Sequence, residues 1–144
     1  MIKCFVEAWD KNKDKLEEYI KTHRQEEYDS YKELVKLLFD IVINPDIDTY
    51  SGEKFDIDNI DVLDHGDYQG TLIFILHHEY YQPHVCSYVY THTFYGSCSG
   101  CDTLQAICCY DEGLPDEDQV KDYMQLCLHL LQRCTYMTDG EEEV

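Results

Sequence analysis

Three observations predict an α+β fold for this chain. Apolar residues recur at helical spacing near both ends of the sequence, the middle carries β-rich runs separated by turn residues, and Ser/Asp-x-x-Glu/Gln capping signals precede two of the apolar stripes. The predicted order is two N-terminal helices, a three-stranded antiparallel meander and two C-terminal helices packed on one sheet face.

The first helix rests on Ile2, Phe5, Val6, Trp9, Leu16 and Ile20, with Lys11, Lys15, Glu18 and Lys21 between them and a break expected near Asn12. For the second, Ser30 and Glu33 form a capping box ahead of Leu34, Val35, Leu37, Leu38, Ile41 and Val42, and Asn44-Pro45 ends the run. From Asp46 to Asp67 the chain carries eight acids and one Lys. Its apolar members Phe55, Ile57, Ile60 and Val62 slip out of a spacing of two, which predicts a strand with a bulge near Asn59. His65-Gly66-Asp67 is the expected turn into the run Gly70–Leu76. Tyr81-Gln82-Pro83 turns the chain into a third strand, Val85–Tyr95.

Cys101–Tyr110 reads as a short helix begun by Ser99 or Asp102 and broken at Gly113-Leu114-Pro115. Asp116 with Gln119 is a second capping box, followed by Val120, Tyr123, Met124, Cys127, Leu128, Leu131 and Cys134 on one face. The stripes Leu34–Val42 and Val120–Cys134 are the expected core. One domain is expected over residues 1–138, with 139–144 as an acidic flexible tail.

A hydrophobic content of 44% with 13% aromatics sets the chain apart from disordered acidic segments. No apolar run reaches bilayer-spanning length and Met1–Lys15 lacks the order of a secretory signal, so the cytoplasm is the expected compartment. There the eight cysteines are expected to be reduced. The net charge is −19, and it is unevenly placed. Up to Lys36, nine acids face eight bases; from Leu37 onward, 21 acids face only Lys54, Lys121 and Arg133. Such a field repels phosphate backbones and anionic membrane surfaces and attracts cationic ones. The expected partner is therefore a protein with a basic surface, not a nucleic acid or a membrane.

Asp56, Asp58, Asp61 and Asp64 are the candidate contact carboxylates, with Tyr50 and Tyr68 as neighbouring anchors. Carboxylates two residues apart on one strand face lie roughly 6.6 Å apart. That spacing is of the order of the phosphate repeat, so an acidic strand suits a groove built for nucleic acid. A solvated outer strand face is the plainer account of the same residues. Calcium is disfavoured, because an EF-hand loop counted from Asp56 would put Asp61 and Asp67 where Gly and Glu are needed.

Cys98-x-x-Cys101 between the sheet and a helix offers two other chemistries, zinc ligation and thiol–disulfide exchange. Cys108, Cys109, His77, His78, His84 and His92 are the available further ligands, but no second pair stands at zinc-site spacing. The pair also follows a meander and not the first strand of a βαβ unit. A turn built on Gly96 and Gly100, with Cys101, Leu104 and Cys108 packed inward, accounts for the segment without chemistry. Cys127 and Cys134 belong to the buried stripe, and His77 and His78 should point to opposite sheet faces. No nucleophile elbow, phosphate loop, dinucleotide fingerprint or His-Glu-x-x-His stands in the sequence, and cations are scarce after Lys36, so catalysis is not expected.

Tyr68-Gln-Gly-Thr-Leu-Ile-Phe74 and Tyr95-Gly-Ser-Cys-Ser-Gly-Cys-Asp-Thr-Leu-Gln105 resemble segments of small uncharacterised proteins encoded by phages and prophages of low-GC Gram-positive bacteria. The resemblance runs from about Tyr28 to Arg133. It implies only a setting inside a host cell; small acidic phage proteins made there are often inhibitors of nucleic-acid-handling or defence proteins, a role to which the charge, and not the resemblance, points. A phage structural or assembly component is the other role that setting allows.

Overall fold

The computed structural model describes residues 2–47, 54–66, 69–78, 88–97, 102–108 and 113–137. Helix α1 (Lys3–Thr22) runs unbroken through Asn12. The expected break is corrected by one hydrogen bond: Asn12 is buried, and its Nδ2 donates to the Val42 carbonyl at 2.9 Å. Carbonyls near a helix end lack an intrahelical donor, so a side chain from α1 supplies one.

After a 3₁₀ turn (Gln25–Tyr28), Ser30 caps α2 (Tyr31–Leu37), its Oγ accepting from the Glu33 amide at 3.2 Å. The run continues as a π-helical turn (Leu38–Ile43) and a 3₁₀ turn (Asn44–Asp46) that contains Pro45. This widened segment packs against α1 and carries Leu38, Phe39, Val42 and Ile43 into the core.

The sheet is antiparallel in the order β1 (Asp61–Gly66), β2 (Gly70–His77), β3 (Tyr88–Tyr95), β4 (Thr135–Tyr136). The predicted three strands become four, because the chain leaving the last helix pairs Tyr136 with Val89 and Thr135 with Tyr90. Two residues carry no periodic signal, which is why this strand escapes a reading of the sequence. The predicted third-strand start at Val85 falls outside the described residues. At the β1–β2 turn Gly66 and Gly70 face each other. A Cβ on Gly66 would meet the Gln69 carbonyl oxygen at 2.2 Å and one on Gly70 the His65 oxygen at 2.1 Å, so the backbones approach as only glycine permits.

Helix α3 (Thr103–Cys108) is begun by Asp102, whose Oδ1 accepts from the Gln105 amide at 3.0 Å. Helix α4 (Glu117–Gln132) has the reciprocal capping box the sequence predicts: Gln119 N–H to Asp116 Oδ1 at 2.8 Å, and Asp116 N–H to Gln119 Oε1 at 3.0 Å. Its stripe buries Val120, Tyr123, Cys127 and Leu131, joined by Leu126 and Leu130. The two predicted stripes do form much of the core, together with Phe5, Leu16 and Ile20 from α1 and the sheet residues Phe74, Leu76 and Val89. Thr91 ties β3 to α4 by donating to the Leu130 carbonyl at 2.6 Å. Among the described residues no helix is long and apolar enough to cross a membrane.

Candidate partner-binding surface

The acidic segment begins at a firm anchor. Asn44 holds Phe55 by a reciprocal pair of bonds, Nδ2 to the Phe55 carbonyl at 3.0 Å and Phe55 N–H to Asn44 Oδ1 at 2.9 Å. The Phe55 ring is buried edge-on against Phe5 and Phe39. Phe55 also bridges His78 across the sheet, and the Asp56 amide donates to His77 O at 2.8 Å. The chain then leaves the ladder at residues 57–59 and rejoins it at Asp61, opposite Ile75. The expected bulge near Asn59 is thus a multi-residue excursion, closed by the buried Ile60.

Asp56 is committed to that excursion. The Asn59 side chain donates to its Oδ2 at 2.8 Å and the Asp58 amide to its Oδ1 at 3.0 Å. Donation from Asn59 first, then from the Asp58 backbone, holds this carboxyl below the ordinary aspartate value. Asp58 projects into solvent, 3.9 Å from Lys36 Nζ. Asp61 and Asp64 lie on β1, all six residues of which are exposed. Being three residues apart, they point to opposite faces of the strand. Asp61 shares the outer face with Ile75, whereas Asp64 shares the helix-facing side with Leu72 and accepts a hydrogen bond from Tyr95 at 2.6 Å. The four carboxylates therefore form a turn pair and a two-sided strand pair, not a single-face ladder. Tyr50 and Tyr68 lie outside the described residues.

Strand β1 is exposed on both faces because the helical layer stops at β2. Phe74 on β2 is 1% exposed, while its register partner Val62 on β1 is 39% exposed. A groove of about 430 Å³ opens between β1, the start of α2 and α3. Val62, Leu72, Phe74, Leu104 and Cys108 give it apolar walls, and Asp29, Lys32 and Asp64 stand among its lining residues.

One buried carboxylate fixes the walls. Asp102 accepts from Tyr31 Oη at 2.9 Å, from the Gly96 amide at 2.8 Å and from the Gln105 amide at 3.0 Å, which joins α2, the end of β3 and α3. Tyr31 Oη in turn accepts from the Leu104 amide at 3.1 Å. Burial, above all, raises the Tyr31 hydroxyl well beyond the ordinary tyrosine value, so it remains a donor. A reading of the sequence identifies Asp102 as a cap but not this junction, because Tyr31 stands 71 positions away in the chain.

The histidines separate as expected. His78 is buried against Phe55, whereas His77 is partly exposed beside Tyr88 and His92 lies near Phe94. His84, Cys98, Cys101 and Cys109 lie outside the described residues. Among those described, no group of three or more His, Cys, Asp and Glu side chains could hold a metal ion. Cys127 and Cys134 are buried, and desolvation pushes both thiols up to about 12. In the comparisons with known proteins, no family model, curated protein or solved structure matches the chain.

Proposed function

We propose that this chain is a non-enzymatic, acidic interaction protein that occupies the basic surface of a nucleic-acid-handling protein. The observation that carries the reading is the segment Asp56–Gly66, a charged stretch held at Phe55 and again at the buried Ile60, with Asp58 and all of β1 exposed. Among the described residues its carboxylates make one ion pair, that of Asp58 with Lys36. The field of the chain beyond Lys36 works in the same direction, favouring fast, salt-sensitive encounter with a cationic surface. Extended basic surfaces belong above all to proteins that grip phosphate backbones, which is why that partner class fits. The resemblance to phage and prophage proteins supplies a compatible setting, an inhibitor made inside a host cell.

Affinity capture from host lysate at low and high salt tests this, with an Asp56→Lys, Asp58→Lys, Asp61→Lys, Asp64→Lys variant as the comparison. The expected result is a nucleic-acid-binding partner released by salt and lost by the variant, with the variant's circular dichroism spectrum unchanged. Undiminished capture by the folded variant, or tight binding of polynucleotide by the protein alone, overturns the reading.

A further inference from the structure

Charge alone does not account for the groove beside β1. Its walls are apolar, its volume of about 430 Å³ lies within the range of sites that receive ligand groups, and the Asp102 network holds its sides in place without a ligand. Among the described residues Asp64 and Asp29 flank it and make no ion pair, and Lys32 is the one cation in its lining. Strand β1, which pairs only with β2 among the described residues, supplies an exposed backbone edge alongside.

We infer that this groove anchors the partner: it receives one large apolar side chain from a basic segment, while a Lys or Arg one or two residues away pairs with Asp64. This rests on the reading of the chain as a binder of basic surfaces and adds what gives that contact specificity. Two exposed carboxylates against one exposed lysine, Lys32, disfavour a fatty acid or a nucleotide, whose anion would meet Asp29 and Asp64 as well as that lysine. They favour an apolar group that arrives with a cation. Tyr95 donates to Asp64 Oδ1 and so orients the carboxylate over the groove before any partner binds.

The test uses an array of randomised short peptides probed with the full chain, followed by titration of the best binder by fluorescence anisotropy. Selection of an aromatic or branched apolar residue with Lys or Arg close by is expected. Replacing that apolar residue with Ala should weaken binding roughly tenfold to a hundredfold, the value of one buried side chain. Val62→Asp separates the two contributions, because it adds a carboxylate while removing an apolar wall. Its expected effect is at least tenfold weaker binding of the selected peptide despite the extra negative charge. Selection of basic residues alone, or equal binding of the apolar and Ala peptides, overturns the groove but leaves the acidic reading standing. Selection of apolar residues without a basic neighbour overturns the pairing with Asp64, and no salt-sensitive selection of any kind overturns both readings.

Discussion

Strands β1 and β2 are neighbours in one sheet, yet they belong to different worlds. Val62 and Phe74 face each other across the ladder on the helix-facing side, and one is 39% exposed while the other is buried. Backbone pairing is the same for both. What differs is the layer above: α4 packs against β3, and Phe74 and Leu76 of β2 lie in the same buried cluster as the helical stripes, whereas all six residues of β1 are exposed. The comparison separates two uses of an antiparallel sheet. Its covered strands carry the buried side chains, and the overhanging strand carries charge and no buried residue.

Truncation of the two strands breaks or upholds this contrast with the largest effect. Phe74→Ala should destabilise the protein by about 3 to 5 kcal/mol, as expected for a buried aromatic ring in a packed core. Leu63→Ala, on the exposed strand next to it, should change stability by less than about 1 kcal/mol. Urea denaturation of both variants measures the difference. Similar losses would show that β1 is part of the cooperative core.

Alkaline titration sharpens the same contrast on the covered side. Cys127 and Cys134 lie on the stripe that α4 buries, and their thiols ionise near pH 12 when folded but near the ordinary thiol value of about 9 when unfolded. Between those values the unfolded chain binds fewer protons than the folded one, so stability must fall as pH rises. Their contribution is complete below pH 9 and is lost through the window from about 9 to 12. The slope approaches about 1.4 kcal/mol per pH unit for each thiol. Tyr28 and Tyr31, raised chiefly by burial, act in the same direction. Maleimide labelling at neutral pH should accordingly modify the exposed Cys4 and spare Cys127 and Cys134 until the protein unfolds.

Asn12→Ala probes the junction of α1 with the π-helical turn. Removing the amide leaves the buried Val42 carbonyl without its donor from α1, a loss of about 1 to 3 kcal/mol. A change below about 0.5 kcal/mol, measured by thermal or urea unfolding, would show that the carbonyl finds another partner.

What the sequence reveals follows the range of the interactions. The caps at Ser30 and Asp116 and the stripe on α4 are local, with partners within a few residues, and each appears where the pattern predicts it. The departure from the ladder near Asn59 is legible in part, as a slip in spacing, but its length of several residues is not. The unbroken α1 is not, because the residue expected to break it is satisfied by Val42, 30 positions away. The groove is the least legible feature of all. Val62 and Leu72 read as ordinary strand residues, and only the stopping of the helical layer at β2 turns their faces into a wall. Likewise the acidic run is plain in composition, but the division of Asp61 and Asp64 between two faces follows from register, which composition does not carry.

The smallest expected effect concerns the one ion pair that the acidic segment makes among the described residues. Lys36 Nζ stands 3.9 Å from Asp58, at the edge of ion-pair distance, with the two side chains 41% and 81% exposed. Screening and the entropy of two long, mobile groups should leave such a pair contributing little, so Lys36→Ala should alter stability by less than about 0.5 kcal/mol. In the binding reading the same change frees Asp58 of its local competitor, and salt-sensitive association with a basic partner should strengthen slightly or stay constant. A loss of stability above about 1 kcal/mol on urea denaturation would mean that the turn after Phe55 is held by charge as well as by Asn44. The acidic segment would then be a structural element of the fold, and its carboxylates would be less available to a partner than their exposure suggests.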